Sequence, residues 1–446
     1  MTSKINILIT FLLLVCCGFS QSQRELTSTE AVFIALEKNY QIIISEKQYE
    51  IGKKNNKWSE AGLFPTVTLN VTQNNVIQDN TNNPFTFTPG IVLSQSIDPS
   101  LSANWNIFSG FQVKMSKQRL MQLEEQSENN ALAIIETTIQ DVLKAYYTAQ
   151  LQNDRRELFR SILDLSRERY SYYELKEKYS NSSSLELLQF KNQYLTDSTN
   201  LLLQEISYNN ALRNLGILMN DSTLSENSIK LTDKIDVAIV NLNYEDAEQK
   251  MLENNKNLKN QYINLELQKT NTSFSRSFLY PTLNFQAGIN PGWSNLREIQ
   301  YNELQIETNT LVYYGNFSLR YNLFNNWKNK RAVEVSKIQE EIATLNIESM
   351  KQTLSSTLKN LIDIYHARIQ LVSISEENLV YAKTAFELAQ KRFDLGTINS
   401  IDLASFQNTY QNTMMQHYEN LFNKLDVYLE INKMTGQIGL QYTNQR

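Results

Sequence analysis

The chain has 446 residues, 20% of them charged and 41% hydrophobic, with a formal net charge of −5. A net negative balance argues against a nucleic-acid partner. The mean hydropathy of −0.42 argues against a helical membrane protein but leaves a β-barrel open, because barrel strands are half polar.

Residues 1–20 read as a secretory signal. Lys4 supplies the positive start, Ile5 to Val15 the apolar stretch, and Gly18-Phe19-Ser20 a small-x-small cleavage site. That stretch is too short to span a bilayer. The mature protein is therefore expected to leave the cytoplasm without a membrane helix. Both cysteines, Cys16 and Cys17, fall in this segment. Lipid attachment at Cys17 stands as an alternative to simple cleavage, although Val15-Cys16 is a poor match for the small residues such sites need. Cleavage after Ser20 removes both thiols, and with them any disulfide or thiolate metal site.

Further along, two windows switch to a period of two. Val67, Leu69 and Val71 alternate with Thr66, Thr68, Asn70 and Thr72, and Ile97 to Ile107 alternates in the same way. In the second window Leu283, Phe285, Ala287 and Ile289 alternate with Asn284, Gln286 and Asn290, and Leu311 to Leu323 follows suit. These are four strands, each with one apolar and one polar face. The Asn-, Pro- and Gly-rich links Asp79–Pro89 and Pro291–Asn302 are expected as loops. Aromatics cluster where strands give way to helices: Trp58, Phe64, Trp105, Phe108 and Phe111 in one window, Tyr280, Phe324 and Trp327 in the other. They fit an interfacial belt.

Between these windows neither Gly nor Pro occurs from Phe111 to Leu215 or from Trp327 to Leu395. Ile135, Ile139, Val142, Tyr146 and Ala149 follow coiled-coil spacing, as do Leu354 to Val372 and Leu379 to Phe393. A helix over 111–177 is on the order of 100 Å long at about 1.5 Å per residue.

The chain also repeats itself. Pro65 and Pro281, Trp105-Asn106-Ile107-Phe108 and Tyr321-Asn322-Leu323-Phe324, Ala31 and Ala247, and Ser184-Leu185-Glu186-Leu187 and Ser400-Ile401-Asp402-Leu403 are all 216 positions apart. Ordered blocks at one offset mean two structural copies. The expected division is 1–20 leader, 21–230 first copy and 231–446 second copy. Each copy holds a helix, a hairpin (about 64–108 and 280–324) and long helices (about 111–218 and 327–435). The fold class is α+β, with four transmembrane strands and long coiled-coil helices.

The chain resembles the TolC-like outer-membrane efflux proteins over essentially all of its mature length. The resemblance rests on Thr27-x-x-Glu30-Ala31-Val32-x-x-Ala35-Leu36-x-x-Asn39, Phe64-Pro65-Thr66, Trp105-Asn106-Ile107-Phe108-Ser109-Gly110, and above all Arg392-Phe393-Asp394-Leu395-Gly396-Thr397-Ile398-Asn399-Ser400-Ile401-Asp402-Leu403. It implies a homotrimer whose twelve strands form an outer-membrane barrel, continued by an α-helical tunnel through the periplasm. It also implies a passive duct for small molecules or secreted proteins, docked on a periplasmic adaptor and an inner-membrane pump, proton-driven or of ABC type.

The resemblance places Lys178–Ser184 and Phe393–Ser400 at the periplasmic tip, where such ducts close. Tyr179, Asn181, Phe393, Leu395, Gly396 and Thr397 become candidate adaptor contacts, and Glu186 and Asp402 candidate gate carboxylates. The residue matching the family's gating arginine is Ile398, and the position of a second gate carboxylate is Ser405, so the family's ion-pair lock is only partly kept.

Other chemistry is missing. His366 and His417 each sit alone in helical stretches, and there is no phosphate loop, nucleophile elbow or zinc motif. No cofactor, metal or enzyme activity is expected. Lys114, Lys117 and Arg119, with Lys328, Lys330 and Arg331, either meet anionic lipid or form a solvated helix face. Ser183-x-x-Glu186 and Asn399-x-x-Asp402 read equally as helix caps and as carboxylates facing a constriction. The competing function is a soluble periplasmic coiled-coil adaptor or scaffold that conducts nothing. Neither the transported substrate nor the class of pump can be read from these residues.

Overall fold

A computed structural model describes residues 24–86, 88–179, 184–222, 224, 229–235, 239–299 and 304–443. The expected leader, with Cys16 and Cys17, lies outside them, as do Asn181 and the rest of 180–183. In chain order the elements are β1 (Arg24–Leu26), α1 (Ser28–Lys38), α2 (Tyr40–Asn55), β2 (Thr66–Asp79), β3 (Ile91–Ser109), α3 (Gln112–Tyr179) and α4 (Ser184–Met219). There follow β4 (Ile229–Leu231), α5 (Tyr244–Asn254), α6 (Lys256–Ser277), β5 (Thr282–Glu298), β6 (Gln305–Arg320), α7 (Lys328–Asp394), α8 (Ser400–Met434) and α9 (Gln437–Thr443). The starts of α1 and α5, α2 and α6, β2 and β5, α3 and α7, and α4 and α8 are each 216 apart.

The duplication extends to single hydrogen bonds. Asn39 follows α1; its side-chain oxygen accepts from the N–H of Gln41 at 2.8 Å, and its amide donates to the Leu218 carbonyl at 2.7 Å. Asn255 follows α5; its oxygen accepts from the N–H of Leu258 at 3.0 Å, and its amide donates to the Met434 carbonyl at 3.0 Å. Each asparagine is buried and joins a helix start to the end of a long helix. Buried polar groups need partners, so the same residue serves the same junction twice.

Two compact units result, and each draws on both copies. The helical unit holds the chain up to Glu46 with Asn130–Leu258 and Met350–Arg446. Its seam residues are those spaced by three and four: Ile135, Ile139, Val142, Tyr146 and Ala149 are all buried. Tyr146 donates to the Leu26 carbonyl at 2.7 Å and accepts from the N–H of Asp233 at 3.1 Å, beside the parallel β1–β4 pair.

The second unit, Lys47–Asn129 with Lys259–Ser349, carries an antiparallel sheet in the order β2-β3-β5-β6. Thr66 pairs with Asn104 and Thr282 with Arg320, so the two hairpins share one register. That register puts Val67, Leu69, Leu101, Ala103, Phe285, Ala287, Ile289, Tyr313 and Phe317 on one face, where Leu69, Leu101, Ile289 and Tyr313 form a single row. Thr68, Asn70, Ser102, Asn104, Gln286 and Asn316 line the other face.

Two expectations need correction here. The loop expected over Pro291–Asn302 is strand as far as Glu298. Pairing of β3 with β5 pauses between Ile97–Trp293 and Leu101–Ile289, and Pro99 and Pro291 both fall in the pause, where neither missing N–H is required. The alternation expected to continue as strand to Leu323 stops at Arg320. The matching Trp105–Phe108 is strand because β5 flanks β3, whereas β6 is an edge.

Strand passes to helix through two consecutive left-handed residues in each copy. These are Gly110 (φ 62°) and Phe111 (φ 70°), and Asn326 (φ 56°) and Trp327 (φ 59°). A Cβ on Gly110 would lie 2.3 Å from the Ser277 carbonyl oxygen and 2.9 Å from Tyr280 Cβ. Asparagine tolerates the conformation as no β-branched residue does. Gly110→Ala is expected to cost about 1–3 kcal/mol through backbone strain alone, seen as a lower thermal midpoint in detergent. Asn326→Gly should leave that midpoint unchanged or slightly raised. Equal losses from both would contradict this account of the junctions.

Candidate functional site

The long helices form two hairpins, α3–α4 and α7–α8. At the end of α7 the N–H of Thr397 donates to the Arg392 carbonyl at 2.9 Å, and the N–H of Gly396 donates to the Phe393 carbonyl at 2.9 Å. Gly396 has a φ of 71°, which completes a Schellman closure. A Cβ there would meet nothing within 4 Å, so backbone conformation rather than crowding selects glycine. Asn399 then caps α8, its side-chain oxygen accepting from the N–H of Asp402 at 2.8 Å. The Asp402 side chain stays exposed. Glu186 occupies the first turn of α4, half-buried; its expected cap, Ser183, lies outside the described residues.

The tip candidates divide into two kinds. Tyr179 ends α3 and is 87% exposed, Leu395 is 79% exposed, and Gly396 and Thr397 are exposed with them. Phe393 instead packs between the hairpins, with ring centroids 5.8 Å from Phe190 and 6.3 Å from Tyr173. It joins a cluster built on Phe386, Ala389 and Leu403, in which Ile398 is also partly buried. Ile398 thus belongs to apolar packing.

Between about two and four turns into the hairpins a polar network crosses three helices. Asp197 of α4, 2% exposed, accepts from Ser166 Oγ of α3, from Gln193 Nε2 at 3.0 Å and from Gln407 Nε2 of α8 at 3.5 Å. Gln407, 1% exposed, accepts from Arg169 Nη1 at 2.7 Å. One amide therefore stands between a carboxylate and a guanidinium. Burial pushes the Asp197 carboxyl up, against the opposing pull of its hydrogen-bond donors and of Arg169. Burial also lowers the Arg169 guanidinium. A cavity of about 210 Å³ opens beside the network, lined by Gln189, Asn192, Ser400 and Ala404 among others. Ser400 Oγ donates to Gln189 Oε1 at 2.6 Å across it.

Sequence reasoning missed this junction. The available signal was a polar residue in an apolar seam: Gln407 lies four residues after Leu403, and Asp197 seven after Phe190. The copies hid it, since 216 positions beyond Ser166, Arg169 and Asp197 stand Ala382, Ala385 and Thr413.

His417 Nδ1 lies 3.0 Å from Ser375 Oγ. Among the described residues no group of three or more His, Cys, Asp or Glu is placed to hold a metal, and no helix is long and apolar enough to cross a membrane. Two of the basic residues that follow the strands lie near tryptophans flanking the sheet: Lys117 Nζ is 6.0 Å from the Trp58 ring centre and Lys330 Nζ 5.4 Å from that of Trp327.

A duplicated chain with a two-faced sheet and coiled-coil hairpins defines a class, and comparison with known proteins agrees. The model of the outer membrane efflux protein family matches residues 33–221 and 248–437, and the chain belongs to that family. Solved structures share the fold. A membrane protein from Pseudomonas aeruginosa is 12% identical with a TM-score of 0.73, over 92% of each chain. The Campylobacter jejuni CmeC outer membrane channel is 14% identical with a TM-score of 0.72, over 92% of this chain and 85% of the other. The open state of the Neisseria gonorrhoeae MtrE outer membrane channel is 16% identical with a TM-score of 0.69, over 92% and 88%. No curated protein matches the chain. The protein is accordingly an outer-membrane efflux protein and not an enzyme, which displaces the soluble-adaptor alternative.

Gln407→Leu strips the amide from both Asp197 and Arg169 and is expected to cost about 1–3 kcal/mol, read as earlier unfolding of the hairpins in denaturant. The raised pKa of Asp197 means that the folded state holds its proton more tightly than the unfolded chain does. Its stabilising contribution is present below the ordinary carboxylate value and is lost as pH rises through the raised one. Denaturation midpoints of the wild type should fall across that window, and those of Asp197→Asn should not. A pH response shared by both proteins would rule the network out as its source.

Proposed function

We propose that three copies of the chain form an outer-membrane duct, a 12-stranded barrel continued by a periplasmic tunnel of long helices, through which solutes leave the cell. The observation that carries this reading is the two-faced sheet with open edges. On β5 the apolar face runs from Leu283 to Trp293, the span of about 9–11 residues that a tilted strand needs to cross a bilayer. Among the described residues strands β2 and β6 each have one neighbour, and open edges are not tolerated in lipid. Three chains of four strands close into an even-numbered barrel.

The helical unit supports the same assembly. Helices α3 and α8 are tied together by Lys144–Asp426 at 2.7 Å and Arg155–Glu419 at 3.2 Å. Helices α4 and α7 carry exposed apolar seams at seven-residue spacing: Leu188, Leu195 and Leu202 on one, Ile374, Tyr381 and Leu388 on the other. On α4 this seam lies two residues from the packed series Phe190, Asp197 and Gln204, and so about 200° around the helix. Such seams suit neighbouring copies in a ring.

The exposed tip residues Tyr179, Leu395, Gly396 and Thr397 are the surface we assign to a periplasmic adaptor, with Phe393 holding the hairpins behind them. Energy comes from an inner-membrane pump. The polar strand face of Asn, Ser, Thr and Gln gives a lumen compatible with many small solutes or an extended polypeptide. Asp402 and Glu186, brought three times around one axis, supply the gate with negative charge. Like charges within a Debye length of about 8 Å repel unless cations sit between them.

Reconstitution in planar bilayers tests the reading. The protein should open ion-conducting, cation-selective channels, and Asp402→Asn should reduce both the selectivity and any block by divalent cations. Complete failure of well-folded protein to conduct would overturn the duct. Unchanged selectivity in Asp402→Asn and Glu186→Gln would reduce both residues to helix caps. Leu69→Arg places a charge on the apolar face and should cost about 2–4 kcal/mol at mid-bilayer; membrane insertion at wild-type yield would count against that face. Gly396→Val should abolish efflux in cells at normal protein abundance, and full transport by it would remove the tip assignment.

A further inference from the structure

Charge is divided sharply along the unit that carries the sheet. The stretches joining its helices to the strands, residues 53–64, 109–123, 273–281 and 320–333, hold eleven basic residues and one acidic, Glu60. The whole chain, by contrast, carries a net −5. Further acidic residues come only at a distance from the sheet, from Glu124 onward on α3 and from Glu334 onward on α7. Lys114, Lys117 and Arg119 open α3, and Lys328, Lys330 and Arg331 open α7, yet of these only Lys114 and Lys330 are 216 apart. The sign is kept where the positions are not.

Helix physics opposes this charge. A helix start is the positive end of the peptide dipole and favours acids. The return helices of the hairpins comply, with Glu186 in the first turn of α4 and Asp402 in that of α8. Helices α3 and α7, which start at the sheet, have no acid in the first turn. Pairing within the chain does not offset the cost. Among the described residues Lys54 meets Glu50 at 3.3 Å, but Lys114, Arg119, Lys328 and Lys330 are exposed and meet no carboxylate. A face that merely dissolves in water mixes the two signs; this one does not.

We infer that these residues form a collar that binds the anionic phospholipid headgroups of the bilayer leaflet facing the periplasm. The inference rests on the membrane-spanning sheet proposed above. Position selects lipid as the occupant. Exposed aromatics lie between the collar and the sheet: Trp58, Phe64 and Phe111 in one copy, Tyr280, Phe324 and Trp327 in the other. Such rings sit at headgroup depth, and long basic side chains beside them reach phosphate while their stems stay on apolar surface. Lys117 and Lys330 already lie near Trp58 and Trp327. Hydrogen bonds from Lys117 to Asn56 and from Asn329 to the Phe278 carbonyl (2.7 Å) hold the neighbouring basic stretches together. Clustered Lys and Arg at that depth favour anionic over zwitterionic headgroups.

The four tryptophans, Trp58, Trp105, Trp293 and Trp327, read the lipid around them. Trp293 lies 11 residues along β5 from its start at Thr282, about 36 Å from the collar at roughly 3.3 Å per residue. Full-length protein keeping one tryptophan, the others changed to Phe, is reconstituted in vesicles of phosphatidylcholine and phosphatidylglycerol. One lipid or the other carries brominated chains, which quench tryptophan fluorescence at contact. Trp58 and Trp327 should be quenched as if phosphatidylglycerol were enriched several-fold around them, and Trp293 equally by both lipids. Lys328→Gln with Lys330→Gln and Arg331→Gln should bring Trp327 to parity and leave the preference at Trp58. Lys114→Gln with Arg119→Gln should lower the preference at Trp58 and spare Trp327, which keeps the test open if one variant misfolds. Equal quenching by the two lipids at both collar tryptophans would overturn the inference. So would a preference that survives both sets of substitutions, or one equally strong at Trp293. Quenching of no tryptophan by either lipid would instead overturn the membrane-spanning sheet.

Discussion

Backbone polar groups in hydrocarbon have no water to turn to, so each N–H and C=O must be paired inside the protein. In one copy of this chain, β2 and β6 each leave a row of such groups unpaired. The rest of the architecture follows from meeting that demand. A chain whose two halves are built alike offers two like edges, and in the trimer proposed above copies related by rotation would join them without a special closing strand.

The same duplication leaves room for difference between the copies. The repeat holds to the level of single hydrogen bonds at Asn39 and Asn255, which only keep helices together. It lapses at the hairpin junction, where Ser166, Arg169 and Asp197 have Ala382, Ala385 and Thr413 as counterparts. A buried carboxylate reached through a glutamine amide is a contact that must be satisfied completely or not at all. The polar network ties Arg169 and Asp197 of the first hairpin to Gln407 of the second, so it holds the two hairpins to each other.

Much of the fold was legible because its signals are long and regular. A period of two over β2 and β5, and a spacing of three and four over α3 and α7, leave little choice of element. What escaped depended on partners distant in sequence. Pro291 reads as a loop residue until Pro99 is found across from it, in a pause of the ladder. Tyr321–Phe324 alternates like a strand, but alternation cannot tell an edge from a central position. At the tip, Gly396 and Asn399 announced their local roles, since a left-handed turn and a cap are short-range chemistry. Phe393 also read as a tip residue, but its half-buried place against Tyr173 and Phe190 depends on the other hairpin. Gln407 shows in the sequence only as a polar residue in an apolar seam, because its partners Arg169 and Asp197 lie on the other hairpin.

The central claim is that one chain is a third of a closed barrel. Native mass spectrometry of the protein released from detergent micelles tests it most directly. The account predicts a single species of three times the processed chain's mass, persisting under activation until the barrel unfolds. A stable monomer or dimer that still inserts into membranes would contradict it.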